Sequence, residues 1–268
     1  MRDSLMNRVP TDPSAGPRRR VVVITGGAGG MGRAIATRFL ADGATVVLAD
    51  RTEEALAAAA AAMPGVSTVV ADVTAVNDCE RMVASTVALH GGIDVMVCTA
   101  GVWVEGPSAE MTEAQWDRTI DVNLKGTFFA CRFAIPTLIQ REGCIVVISS
   151  DYGLVGGPGA AIYNASKFGV NGIVRSLALE LAPHGVRVNS VCPADVETPM
   201  LAGQARDFGG GDEAGYLAAL RSTLPQGDRA RFIQPEEIAS VVAFLSSAEA
   251  TPITGVCLPV EWGVTAGY

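Results

Sequence analysis

The chain is 268 residues long, 49% hydrophobic and 18% charged, with a formal net charge of −8. That length holds a sizeable core and suits one α/β domain or two small ones. The acid excess excludes a general nucleic-acid role, because nothing offsets phosphate repulsion, and by itself it selects no substrate.

Residues 1–18 are polar, carry Pro and Gly, and lack the apolar centre of a signal peptide. No later run approaches a membrane span, so the expectation is a cytoplasmic protein with a disordered leader and no membrane partner. Arg18-Arg19-Arg20 reads as a solvated lead-in to the first strand. The six cysteines (Cys79, Cys98, Cys131, Cys144, Cys192, Cys257) form no C-x-x-C pair and read as buried thiols of a reducing compartment. The two histidines, His90 and His184, each precede a glycine at an expected helix end. No metal site is visible, and a Ser-His-Asp hydrolase is disfavoured.

In chain order, residues 20–25 form a β-branched strand running into Gly26-Gly27-Ala28-Gly29-Gly30-Met31-Gly32 and then a helix over 33–40. Glycines between strand and helix let the backbone approach a pyrophosphate at the helix N-terminus, and Gly26, Gly30, Met31 and Gly32 are assigned to that contact. A second strand over 45–49 ends in Asp50, placed to accept hydrogen bonds from ribose hydroxyls and to repel a 2′-phosphate. Asp50 therefore favours NAD, while the neighbouring Arg51 keeps NADP as the alternative. An alanine-rich helix (53–63) stops at Pro64-Gly65, a third strand spans 66–71 before Asp72-Val73, and the next helix runs to His90. A fourth strand (93–97) leads to Cys98-Thr99-Ala100-Gly101, then a loop whose Trp103 could wall a pocket. Residues 112–138 read as one long helix with Asn123 inside it, a poor choice unless its amide is hydrogen-bonded.

The apolar run Ile145-Val146-Val147-Ile148 reads as a buried parallel strand ending in Ser149-Ser150. A helix to about 181 then opens with Tyr163 and Lys167 four apart, on one face. An ammonium beside a phenol lowers the phenol's pKa and makes it a general acid/base near neutrality, while Ser150 holds the same substrate oxygen. A sixth strand (186–191) precedes Cys192-Pro193-Ala194-Asp195-Val196-Glu197-Thr198. Residues 201–231 carry little pattern beyond a helical piece at 213–220; with Gly209-Gly210-Gly211 inside it, the segment from about 200 to 231 reads as a mobile lid. A capped helix (235–245) and a last strand (256–260) close the chain.

Ser150, Tyr163 and Lys167, the flank Tyr163-Asn164-Ala165-Ser166-Lys167 and the loop Thr25-Gly26-x-x-x-Gly30-x-Gly32 resemble the motifs of the classical short-chain dehydrogenase/reductase family. The resemblance spans residues 20–263. It implies that Asp72, with Val73, contacts the adenine, although a helix N-cap explains Asp72 equally well. It also implies that Ala100 and Gly101 admit the cofactor closely, and that Asn123 kinks its helix and anchors a water beside Lys167. Lys167 would also bind the nicotinamide ribose, and Pro193, Val196 and Thr198 would lie at the nicotinamide and its carboxamide. Cys98-Thr99 (Asn-Asn in most relatives), Ala194 (usually Gly) and Trp262 (usually Gly) depart from the family pattern.

The expectation is an α/β fold: a doubly wound, Rossmann-like parallel sheet with helices on both faces, as a single domain over 19–268. The expected function is hydride transfer between NAD and a small secondary alcohol or ketone by Asn123, Ser150, Tyr163 and Lys167, with no metal and no nucleic acid as partner. The family is commonly homotetrameric. The alternatives are an NADPH-dependent 3-oxoacyl thioester reductase and a dinucleotide-binding scaffold without catalysis.

Overall fold

The computed structural model describes residues 18–267; apart from Arg18, the expected leader lies outside the described residues. Seven parallel strands form one sheet: β1 (Val21–Thr25), β2 (Thr45–Asp50), β3 (Ser67–Val70), β4 (Val95–Cys98), β5 (Cys144–Ile148), β6 (Arg187–Pro193) and β7 (Cys257–Val260). Their order is β3-β2-β1-β4-β5-β6-β7. The direction of winding reverses between β1 and β4, and in such sheets a crevice opens there at the carboxyl ends of the strands.

The central strands are apolar on both faces, as a covered parallel sheet requires. Val23, Val47, Met96, Ile145 and Val188 face one core with α3 (Val76–His90), α5 (Thr127–Arg141) and α6 (Ala161–Leu181). Their neighbours Val22, Leu48, Val95, Val146 and Val191 face the other, with α1 (Gly30–Ala41), α2 (Glu53–Ala62) and α9 (Pro235–Ser246). Each such side chain, fully buried, contributes about 1.5–3 kcal/mol relative to exposure.

The helix boundaries follow local chemistry. At the end of α3, Gly91 takes the left-handed conformation (φ 76°), and Gly185 does the same after His184 (φ 73°). The stretch expected as one helix over 112–138 is in fact three pieces. Thr112 and Gln115 cap α4 (Glu113–Ile120) reciprocally; Asp121–Gly126 is a π-helical stretch; α5 follows without a break.

The lid segment also corrects the sequence reading. It contains two helices, α7 (Pro199–Phe208) and α8 (Glu213–Ser222), where one short piece was expected. Thr198 accepts the Leu201 N–H at the start of α7, Pro199 fills the first helical position, and Leu201 and Ala205 bury one face. Beyond β7, Trp262 has a left-handed backbone (φ 61°), and the Arg231 guanidinium lies 4.6 Å from its ring centroid. Among the described residues no helix is long and apolar enough to cross a membrane.

Candidate active site

Four side chains singled out from the sequence converge near the carboxyl end of β5. Ser150 follows the strand, Tyr163 and Lys167 lie on α6, and Asn123 comes from the π-helical stretch; all four are buried. Lys167 Nζ donates to the Ile148 carbonyl at 2.9 Å and lies 5.5 Å from the Tyr163 ring centroid. The Asn123 amide pins its helix to the loop after β4. Its Nδ2 donates to the Val102 carbonyl (3.0 Å) and to Ser166 Oγ (3.1 Å), and its Oδ1 accepts from the Val102 N–H (2.8 Å). Ser150 Oγ donates to Asp151 Oδ1 at 2.7 Å and accepts from the Tyr152 N–H at 3.1 Å.

The electrostatics run against the expectation drawn from the Tyr163/Lys167 spacing. Burial pushes the Tyr163 phenol up, Ser150 draws it back part of the way, and Asp151, Asp195 and Tyr152 raise it again. Burial likewise pushes Lys167 down to about 8. Without a bound dinucleotide, desolvation outweighs the attraction between ammonium and phenolate.

Beside this group lies the glycine loop. Helix α1 is capped by Gly29 without a side-chain hydrogen bond and has no acid in its first turn, so its leading N–H groups remain open to an anion. The loop is closed to side chains. A Cβ on Gly26 would sit 2.8 Å from Ala100 Cα, one on Gly30 would sit 2.9 Å from Thr198 Cγ2, and one on Gly32 would run into the Gly26 carbonyl. The same close packing brings the loop against Ala100 and Thr198, the walls expected to flank a nicotinamide. Met31 packs on the apolar core beside the loop.

Asp50 ends β2 with its carboxylate turned to the loop, accepting from Ala28 N–H (3.1 Å) and Arg51 N–H (2.8 Å), while the Arg51 side chain is exposed. Asp72 accepts from both the N–H and the hydroxyl of Thr74. It does not cap α3, whose cap is Ala75. Val73 abuts Gly126 of the π-helical stretch, and Gly101 lies between the glycine loop and the Asn123 and Lys167 side chains. Pro193 ends β6, Val196 bridges in parallel to Ile233, and the Thr198 hydroxyl donates to the Val196 carbonyl (3.2 Å). Where most relatives carry Asn, the Thr99 hydroxyl ties β4 to the loop through the Thr25 and Gly26 carbonyls. These residues fit a dinucleotide: an open helix N-terminus for a pyrophosphate, a cradle that side chains would fill, and a carboxylate at the end of β2.

The substrate side is aromatic and acidic. Trp103 meets Tyr163 edge-on with centroids 4.5 Å apart and lies 5.8 Å from Tyr152, so it walls the site. Glu105 Oε2 accepts from both Trp103 Nε1 and the Tyr216 hydroxyl of α8, each at 2.7 Å, which joins the wall to the lid. Asp195, just past β6, is pushed up to about 6 by burial and by the charges of Asp151 and Glu105. Neither Glu105 nor Asp195 stands out in the sequence, since a lone acid in a loop has no period. The one visible signal is that Asp195 interrupts a largely apolar run after a strand end.

The family model described as enoyl-(acyl carrier protein) reductase matches residues 26–265. The chain is 41% identical over 252 residues to meso-2,3-butanediol dehydrogenase of Serratia marcescens, covering 92% of this chain and 95% of that one. It is 39% identical over 253 residues to the 3-oxoacyl-[acyl-carrier-protein] reductase FabG of Thermotoga maritima, covering 91% and 97%. Among solved structures, levodione reductase superposes with a TM-score of 0.87 at 31% identity, covering 94% of this chain and all of that one. Each is named for a dehydrogenase or reductase activity, so a scaffold without catalysis no longer fits. The chain belongs to the short-chain dehydrogenase/reductase family, oxidoreductases that act on CH–OH groups and the corresponding ketones.

Proposed function

We propose that this enzyme is an NAD-linked dehydrogenase of a small secondary alcohol, or reductase of the matching ketone, using Asn123, Ser150, Tyr163 and Lys167. The observation that carries this reading is that these four buried side chains meet at the end of β5, with Gly101 between them and the glycine loop. A bound nicotinamide supplies the hydride acceptor or donor. Tyr163 exchanges the hydroxyl proton with the substrate oxygen, and Ser150 Oγ holds that oxygen. Lys167, buried beside the phenol, stabilises its anion and reaches the ribose. Asn123 fixes the loop at Val102 and holds a relay water. Asp50 selects NAD, because an ionised carboxylate opposes a 2′-phosphate.

In this reading Gly26, Gly30, Met31 and Gly32 hold the pyrophosphate, and Asp72 and Val73 hold the adenine. Ala100, Gly101, Pro193, Val196 and Thr198 line the nicotinamide, and α7–α8 closes over the substrate. A homotetramer is proposed on family grounds. A cytoplasmic location is supported by six free cysteines.

Nicotinamide absorbance over a panel of alcohols and ketones, with NAD and NADP compared, tests the reading. Tyr163→Phe is expected to bind dinucleotide nearly as the parent does and to lose turnover. A loss of less than about tenfold, the size of one ~1.4 kcal/mol positioning contact, would overturn the role of Tyr163. The similarity to the 3-oxoacyl-[acyl-carrier-protein] reductase of Thermotoga maritima favours one second reading, an NADPH-linked 3-oxoacyl thioester reductase. A preference for NADPH and a thioester substrate in the same panel would establish it instead.

A further inference from the structure

We propose that Asp195 is the substrate-specificity determinant of this site, and that it seats a positively charged group, a primary or alkylated ammonium, carried beside the reacting carbon. The inference rests on the dehydrogenase reading above and names its substrate class.

The position is set by the sheet. β5 and β6 run parallel with Ile148 opposite Val191, and the Ser149 N–H donates to the Val191 carbonyl at 2.8 Å. The chain leaving β5 through Ser150 and Asp151 and the chain leaving β6 through Pro193 and Asp195 therefore share one edge of the crevice. The backbone at Asp195 is held, because its carbonyl accepts the Ile233 N–H at 3.0 Å and the next residue, Val196, bridges to Ile233. The carboxylate is held by nothing. Among the described residues its side chain has no hydrogen-bond or ion-pair partner.

The two neighbouring acids differ. Glu105 Oε2 already takes the Trp103 and Tyr216 donors, and Asp151 Oδ1 takes the Ser150 hydroxyl and the Tyr152 N–H. No Lys or Arg pairs with any of the three among the described residues. The result is a half-buried pocket with surplus negative charge, in which Asp195 alone keeps both oxygens free. Repulsion from Asp151 and Glu105 raises the Asp195 pKa, a cost that a bound cation would relieve.

The rings of Trp103, Tyr152 and Tyr163 supply the other half of a cation site, since their π faces attract an ammonium. The charge sought is organic, because among the described residues no three His, Cys, Asp or Glu side chains converge to hold a metal ion. A polyol would satisfy the oxygens and leave the charge uncompensated. An anionic thioester carrier would be repelled.

The test compares kcat/KM for 1-amino-2-propanol, 2-butanol, 1,2-propanediol and lactate with saturating NAD near pH 7. In the parent enzyme the amino alcohol is expected to exceed 2-butanol by at least about tenfold, with lactate lowest. In Asp195→Asn the ratio of amino alcohol to 2-butanol should fall to within about twofold, whatever the level of 2-butanol turnover. A parent ratio near one, the diol as best substrate, or an unchanged ratio in the variant would overturn the proposal. Calorimetric titration of 1-amino-2-propanol into the NAD-loaded protein separates this inference from the reading beneath it. If no alcohol in the panel is oxidised, the dehydrogenase reading fails. Binding by the parent that Asp195→Asn loses would still support the cation seat, and absence of binding would refute it.

Discussion

Lys167→Met removes an ammonium that folding takes out of water. The side chain is 5% exposed, and burial brings its pKa from an ordinary 10.5 down to about 8. At about 1.36 kcal/mol per pH unit, that difference amounts to about 3 kcal/mol. The folded pKa is the lower of the two, so between pH 8 and 10.5 the unfolded chain binds more protons and stability rises with pH. Below pH 8 both states carry the proton and the penalty is full; above 10.5 neither does and it vanishes. The Met variant lacks this dependence. It carries instead a pH-independent loss, because the Ile148 carbonyl is left without its 2.9 Å donor, worth about 1–3 kcal/mol. The stability of the variant minus that of the parent should therefore fall by about 3 kcal/mol from pH 7 to pH 10.5, whatever the constant offset. Urea denaturation of both proteins without dinucleotide, at half-unit pH steps, measures it; Tyr163 and the other titrating groups are common to both and largely drop out. A flat difference would show that Lys167 is not carrying a penalised charge and would refute the reasoning. The variant should have lost turnover throughout.

Asp50→Ala should narrow or reverse the preference for NAD over NADP, read as the ratio of kcat/KM for the two; a parent enzyme that favours NADP would transfer discrimination to Arg51. Gly32→Ala should abolish dinucleotide binding in a fluorescence titration, because its Cβ meets the Gly26 backbone, which cannot yield. Gly172→Ala, on the exposed side of α6 with open space around its Cβ, should instead raise stability by about 0.5–1 kcal/mol. Hydrogen exchange across α7 and α8 should slow when dinucleotide and substrate are both present, and equal protection in the two states would make these helices fixed scaffold rather than a lid.

The sheet was legible because its strands are short β-branched runs separated by helical stretches, and burial on both faces leaves little else for such runs to do. The Ser150, Tyr163 and Lys167 group was legible because a strand end and an i, i+4 pair fix relative positions over short stretches of chain. Other features depend on contacts far apart in sequence. Helix α7 was missed because Gly203 and the polar residues around it dilute the signal of Leu201 and Ala205, whose burial comes from tertiary packing. The direction of the Tyr163 shift was misread because spacing reports the ammonium and is silent about desolvation. Glu105 acquires its role from Tyr216, 111 positions away. Asp195 acquires its role from the chain leaving the neighbouring strand. The π-helical stretch was hidden because one extra residue in a turn changes register and leaves composition untouched.

That extra residue makes the chain sensitive to length between α4 and α5 in a way that it is not sensitive to identity. Removing one residue from 121–126 would let an ordinary helix run straight through, and everything downstream would turn by about 100° about the axis. Ala130, Cys131, Ala134 and Leu138, all packed in the core from α5, would rotate out of it, or Asn123 would swing away from Val102 and Ser166. The two halves of the helix cannot both be satisfied at the shorter length. Substitutions can therefore accumulate along Asp121–Gly126 wherever a side chain is free, while a single-residue deletion there must break either the core or the site.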